Sequence, residues 1–219
     1  PVVPEGEEID LGPDFMQAVR AVSPFMGYDA SRPWSEGIML RNQSAYATNN
    51  ICFVEYWHGH TMPMPLNIPK VAVNELLRIK IDPERVTATQ NTITFHYADG
   101  RWLRSALLGD NWPEQAYNLF EGREFNYEPM PDGLFDALQE LKAFMDKESR
   151  VYFRNNTVAT SASEDVGASV ECEVPEGPVF NYKMLSLLDN VDAIDFSPHP
   201  QPCGFMSGMM RGLILGLNI

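Results

Sequence analysis

The sequence predicts an α+β protein built from two copies of one unit, each with helices on one face of antiparallel sheets. Three observations carry this. Apolar spacing switches from helical to alternating within residues 68–114. The stretch LRNQSAYAT at residues 40–48 has a counterpart, FRNNTVATS, at residues 153–161, each with an Arg-Asn turn after an apolar residue. A connector at residues 116–131, carrying Gly122, Pro129 and Pro131, separates the copies. We place the boundary inside it, giving domains 1–121 and 122–219. Two copies with helices backed by sheet fit a layered architecture, and so few repeats exclude a solenoid.

Residues 1–12 are rich in Pro, Gly and Glu and read as a lead-in, with Ile9 and Leu11 alternating for pairing at a sheet edge. Asp14 is a candidate N-cap for a helix over 15–23, with Phe15, Val19 and Val22 as its apolar stripe. Pro24 and Gly27 end it. Residues 37–41 and 44–47 form a hairpin around Asn42-Gln43, and 51–57 is a third strand rich in β-formers. Residues 58–66 are a Pro/Met/Gly loop. Pro69 then suits a helix start, because its missing N–H is an orphan there anyway. Val73, Leu76 and Leu77 share its apolar face, while Lys70, Asn74 and Arg78 form a polar stripe with no acid of its own. Asp82-Pro83 stops the helix.

Period-two alternation follows: Val86 and Ala88, then Ile93, Phe95 and Tyr97, with a third strand at 102–108. Tight turns fall at Gln90-Asn91 and Asp99-Gly100. In the second copy, Asp132 caps a helix over 133–145, and residues 150–160 form a hairpin. Residues 168–174 match 51–57, and 180–190 match the helix that begins near Lys70. The last strands are 194–197 and 212–217.

The 219 residues, 44% apolar, are enough to bury a core. No run approaches the ~18 apolar residues a membrane span needs, so no membrane partner is expected. No leader opens the chain, which favours a cytoplasmic location. Cys52, Cys172 and Cys203 are odd in number and widely spaced, pointing to a reducing compartment and no thiol metal site. A net charge of −14 argues against a basic coat on nucleic acid, though not against a basic inner stripe on an acidic protein. There is no Gly-rich phosphate loop, nucleophile elbow or zincin motif, so neither enzyme activity nor a cofactor nor catalytic residues are expected. His58-Gly59-His60 has metal-like spacing but no acid or Cys cluster beside it, and is read as surface loop. Met206, Met209 and Met210 suit either an adaptable contact surface or loop filler.

The order IPKxxxNELLRI, ADG and SALLGDNWPE, with DASRPWSEGIML and ATNN upstream, resembles the middle domain of the bacterial replicative sliding clamp, the polymerase III beta-subunit family. FNYKMLSLLDN resembles the helix of its C-terminal domain. The resemblance implies two clamp-type domains in a non-enzymatic, bacterial or phage processivity factor that encircles duplex DNA without reading sequence. It also implies a polymerase and a clamp loader docked through short peptide motifs. Two such domains do not close a ring. A complete chain would make a homotrimer; the last two domains of a longer chain would belong to a dimer.

By that resemblance, the DNA-facing groups are Arg20, Lys70, Asn74, Arg78, Lys80, Lys142, Lys147 and Lys183, all on predicted helices. Phosphates attract such groups without sequence preference, and sliding requires that. The alternative is an ordinary solvated helix face, and Asp136, Glu140 and Asp146 dilute the pattern in the third helix. The peptide pocket would be lined by Thr48, Asn50, Ile51, Phe53, Pro113, Tyr117, Leu213, Leu215 and Leu217. Asn49-Asn50-Ile51-Cys52-Phe53 departs from the family's acidic-Gly-basic-basic-Leu pattern, and the ending LGLNI departs from Met-Pro-Met-Arg-Leu. The three leucines equally suit a terminal strand's core. A second functional reading is a clamp-like protein-interaction module with no DNA inside.

Overall fold

The structure, a computed structural model, describes residues 5–109 and 112–218. The start of the lead-in, Asp110 and Asn111 of the closing segment, and Ile219 lie outside the described residues. The chain divides into two compact units, Pro1–Arg123 and Glu124–Ile219.

In the first unit, β1 (Glu7–Asp10) precedes α1 (Phe15–Val22). Next come β2 (Gly37–Arg41), β3 (Ser44–Thr48), β4 (Cys52–Trp57) and β5 (Leu66–Pro69). Then follow α2 (Lys70–Arg78), β6 (Arg85–Ala88), β7 (Thr92–His96) and β8 (Trp102–Ala106). One sheet runs β1-β6-β7-β8, and the order β5-β2-β3-β4 forms the other. The pairings within both are antiparallel. Ile9 sits opposite Val86, so the lead-in does pair with a sheet edge.

The second unit repeats this plan. It holds β9 (Glu128–Pro129), α3 (Leu134–Leu141), β10 (Arg150–Arg154), β11 (Thr157–Ala159), β12 (Ser169–Glu171) and β13 (Val179–Asn181). After them come α4 (Tyr182–Leu185), β14 (Ala193–Ile194), β15 (Cys203–Ser207) and β16 (Met210–Ile214). Its strand orders are β12-β11-β10-β13 and β16-β15-β14-β9. Strand for strand these match β4-β3-β2-β5 and β8-β7-β6-β1, so the duplication seen in the sequence is a duplication of topology.

The helices form because each has one apolar face to bury. Phe15, Met16, Ala18, Val19 and Val22 of α1 pack toward β3 and β4. Ala72, Val73 and Leu76 of α2 are buried, and the helix packs toward β2, β5 and β8. Leu77 stays 37% exposed, at the edge of that face rather than in it. In the second unit Phe153, Phe180 and Phe196 meet with ring centroids 5.4–5.9 Å apart. The three cysteines are free and buried, and burial raises the Cys52 and Cys203 thiols to about 12.

Several local expectations change. Asp14 holds the N-cap position but makes no side-chain cap bond, and Pro69 precedes α2 rather than opening it. Gly133, at φ +75°, takes the N-cap of α3 in place of Asp132. That helix stops at Leu141, followed by a 3-10 turn, Lys142–Phe144. Asp146 then accepts hydrogen bonds from the N–H groups of Glu148 and Ser149, both 2.9 Å, which fixes a turn where helix was expected. Residues 180–190 open as strand, and Asn181 caps α4 by accepting from the N–H groups of Lys183 and Met184.

Residues 203–207, to which no strand was assigned, are a central strand. Glycine makes that possible: a Cβ on Gly204 would lie 2.6 Å from the Phe125 ring, and one on Gly212 2.1 Å from Phe205. His58 is also not surface loop. It is 6% exposed, its Nδ1 accepts from His60 N–H at 3.3 Å, and its Nε2 has no hydrogen-bond partner among the described residues. Among those residues no His, Cys, Asp and Glu group suited to a metal is found, and no helix is long and apolar enough to cross a membrane.

Two buried groups tie stability to pH. Burial, then the neighbouring His60, holds His58 below its ordinary 6.5. The unfolded chain therefore takes up a proton first, and stability should fall as pH drops below about 6.5. Denaturant titrations at pH 5.5 and 7.5 should show that loss, and His58→Gln should shrink it. Asp195 is 6% exposed; burial opposes its charge, but bonds from Ser197 and from the Asn126 N–H outweigh it and hold the carboxyl below 3.8. Its contribution is present above that value and lost on acidification through the lowered one. Asp195→Ala should cost about 2 kcal/mol at pH 7, read by urea unfolding.

Candidate nucleic-acid and peptide interfaces

Burial of one helix face leaves the other to solvent. On α2 the outward face carries Lys70, Asn74 and Arg78, four residues apart. Lys70 is half-buried at its root; its Nζ lies 3.5 Å from the Gly27 carbonyl oxygen and 5.9 Å from the Tyr28 ring centre. Asn74 is exposed. The stripe is not free of acid, because Glu75 folds across to Arg78 at 2.7 Å, an i,i+3 pair on the helix surface. Arg20 of α1 is exposed and bridges Asp82 at 2.7 Å.

Lys80 is exposed but lies beyond α2, because Ile79 turns extended at ψ 115°. Lys147 is likewise off any helix, in the turn fixed by Asp146. Lys142 sits on the 3-10 turn after α3, and Lys183 on α4, both exposed. The α3 surface itself presents Asp136 and Glu140, with no basic residue in its last turn. The clearest run of cations is therefore that of the first unit. Tyr28, 72% exposed beside Lys70, was missed; an isolated aromatic in a Gly-Tyr-Asp loop gives no periodic signal.

The predicted peptide residues of the first unit fall in two groups. Thr48, Asn50 and Ile51 build the β3–β4 turn. Thr48 Oγ1 donates to the Cys52 carbonyl at 2.7 Å and accepts from Asn50 N–H at 3.2 Å. Asn50 adopts φ +73°, and its Oδ1 accepts from Arg32 at 2.7 Å. Ile51 N–H donates to Asn49 Oδ1 at 3.1 Å. Phe53 and Tyr117 belong instead to an aromatic cluster around Trp112. Phe53 lies 6.2 Å and Tyr117 6.1 Å from the Trp112 ring, while Tyr46 lies 5.2 Å from Tyr117. Pro113, exposed, leads into the 3-10 helix Glu114–Asn118 that holds Tyr117 in place.

This cluster has polar anchors. Trp112 Nε1 and Asn67 Nδ2 both donate to the Trp34 carbonyl at 2.9 Å. Arg41 stacks 4.1 Å over the Tyr117 ring and bridges Glu114 at 3.0 Å. Tyr46 donates to Glu55 at 3.0 Å, and burial beside that carboxylate pushes its phenol up to about 12. Sequence reasoning passed over Trp34, Tyr46 and Trp112, although aromatic residues this dense in one unit signal a buried or contact cluster.

In the second unit Leu213 is 4% exposed and buried in β16, which ends one residue later where its pairing with Cys203 stops. Leu215, 43% exposed, and half-buried Leu217 lie past the strand, with Leu217 N–H bound to the Val179 carbonyl at 2.8 Å. A terminal strand running to Leu217 is thus corrected, and of the three leucines Leu215 presents most surface.

No family model matches the chain, and no curated protein matches it by sequence. Solved structures do match its fold. Against the DNA polymerase III subunit beta from Pseudomonas aeruginosa the TM-score is 0.78 at 14% identity, covering 100% of this chain and 69% of that one. Against the Helicobacter pylori beta clamp bound to a DNA ligase peptide it is 0.74 at 12%, covering 100% and 68%. Against the Bacillus subtilis DNA polymerase sliding clamp it is 0.74 at 16%, covering 100% and 66%. The chain has the fold of DNA polymerase III beta sliding clamps.

Because Trp112 sits at the centre of the aromatic cluster, 3% exposed, Trp112→Ala should destabilise the protein by about 3 kcal/mol in urea unfolding.

Proposed function

We propose that the protein is a sliding-clamp subunit, a non-enzymatic processivity factor that encircles duplex DNA and tethers a polymerase and other replication proteins. The observation that carries this is the likeness to beta clamps over the whole chain, at a TM-score of 0.78. Duplicated topology supports it, since a ring built from repeated units turns equivalent helices toward one axis. In this reading Lys70, Asn74, Arg78, Arg20 and Lys80 of the first unit track phosphates, joined by Lys142, Lys147 and Lys183 of the second. Exposed ion pairs such as Arg78–Glu75 are weak, so phosphate oxygens compete for the guanidinium at small cost. The peptide-docking role falls to the β3–β4 turn with Pro113 and Tyr117, and to Leu215 and Leu217. One beta clamp of this fold is bound to a DNA ligase peptide, which supports peptide docking here. The ring closes with three copies if the chain is whole, or with two copies of a longer chain of which it is part, in the cytoplasm of a bacterial or phage-infected cell.

A second reading, a clamp-like protein-interaction module that never encloses DNA, is favoured by one observation. The net charge is −14, and two of the helix-borne cations already pair with acids.

Topology separates the two. A ring loaded on closed circular duplex should survive a high-salt wash and be lost after the circle is linearised; equal loss from both forms would remove encirclement. Duplex affinity should also fall steeply with salt, and Lys70→Glu should weaken it about tenfold with a shallower salt slope, measured by fluorescence anisotropy.

A further inference from the structure

Duplex tracking by α2 leaves one feature of the first unit unused: a notch of about 640 Å³ at that helix's C-terminal end. One wall is the chain from Arg78 to Ile81, and the other is the β7–β8 hairpin, with Tyr97, Gly100, Arg101 and Trp102. Trp102 is 50% exposed and Ile81 42% exposed, side by side at the notch. Cations surround it. Lys80 is exposed. The Arg101 guanidinium lies 6.0 Å over the Tyr97 ring and pairs with Asp99 at 2.6 Å. Arg78 pairs with Glu75, and nearby Asp82 is taken by Arg20. Tyr97 is 5% exposed, yet its hydroxyl has no hydrogen-bond partner among the described residues.

We propose that this notch holds an unpaired nucleotide of single-stranded DNA. The base stacks on Trp102 beside Ile81, and the flanking phosphate is held by Lys80 and Arg101. Flat aromatic surface interleaved with basic side chains is the chemistry that binds single strands without reading sequence. The choice of a nucleic-acid occupant rests on the reading of α2 as a DNA-facing helix, since Arg78 belongs to both the helix stripe and the notch. A peptide with acidic and apolar residues would use the same groups, and is the rival occupant.

The test is a titration of the full chain with a ten-residue oligothymidylate, read by tryptophan fluorescence at low salt. Saturable quenching is expected, abolished by Trp102→Leu, and the apparent Kd should rise about tenfold with Lys80→Gln or Arg101→Gln. Both changes are at exposed positions, and circular dichroism confirms that the variants fold. Lys70→Gln should weaken hairpin-duplex binding while moving oligothymidylate binding less than twofold. Quenching that survives Trp102→Leu would overturn the notch, as would equal losses from Lys70→Gln and Lys80→Gln. So would tighter binding of an acidic Asp-Leu-Phe peptide at the same residues. Absent duplex binding with intact oligothymidylate quenching would instead sink the clamp reading and leave the notch standing.

Discussion

Everything in each unit depends on a four-stranded sheet needing a cover for one face. In the first unit, α1 and α2 supply it with residues that are almost wholly buried, from Phe15 to Leu76. The order β5-β2-β3-β4 brings the strand before α2 and the strands under α1 into one layer, so both helices lie against the same sheet. Their remaining faces must then point to solvent together. Whatever charge those faces carry is presented as one surface, and the second unit repeats the arrangement in shortened form.

In the first unit that surface is less basic than its cations alone suggest. Arg20 and Arg78 are neutralised by Asp82 and Glu75; in the second unit, α3 carries acids on its own exposed face. Each such exposed pair opens at little cost, so under the proposed clamp function no single contact would dominate. The large acidic surplus lies elsewhere in the sequence.

Much of this was legible before any coordinates. The helix–strand alternation of residues 68–106, the Asn42 turn and its Asn155-Asn156 counterpart follow from local rules of period and turn chemistry, and the positive φ angles at those asparagines bear them out. The strand at 203–207 was illegible because its one glycine, Gly204, is there for a partner distant in sequence, Phe125. The lengths of α3 and α4 were overestimated: each passes into a 3-10 turn, at Lys142–Phe144 and Ser186–Leu188, and Asn181 sets the start of α4 by binding backbone N–H groups. Candidate cations were found by residue type alone. Glu75, three residues before Arg78, was in plain view and passed over, whereas Arg20's acidic partner, 62 residues away, was not visible in any window. The Trp34–Trp112 contact hid for the same reason.

The cysteines give the fold a built-in clock. Cys52 lies in the first unit, and Cys172 and Cys203 in the second, all shut away from water with thiols held protonated. An alkylating reagent can reach them only when the surrounding sheet parts, since the reactive thiolate scarcely exists in the closed state. The pace at which each sulfur is capped therefore reports how often its own half of the chain breathes, without any label having to be introduced.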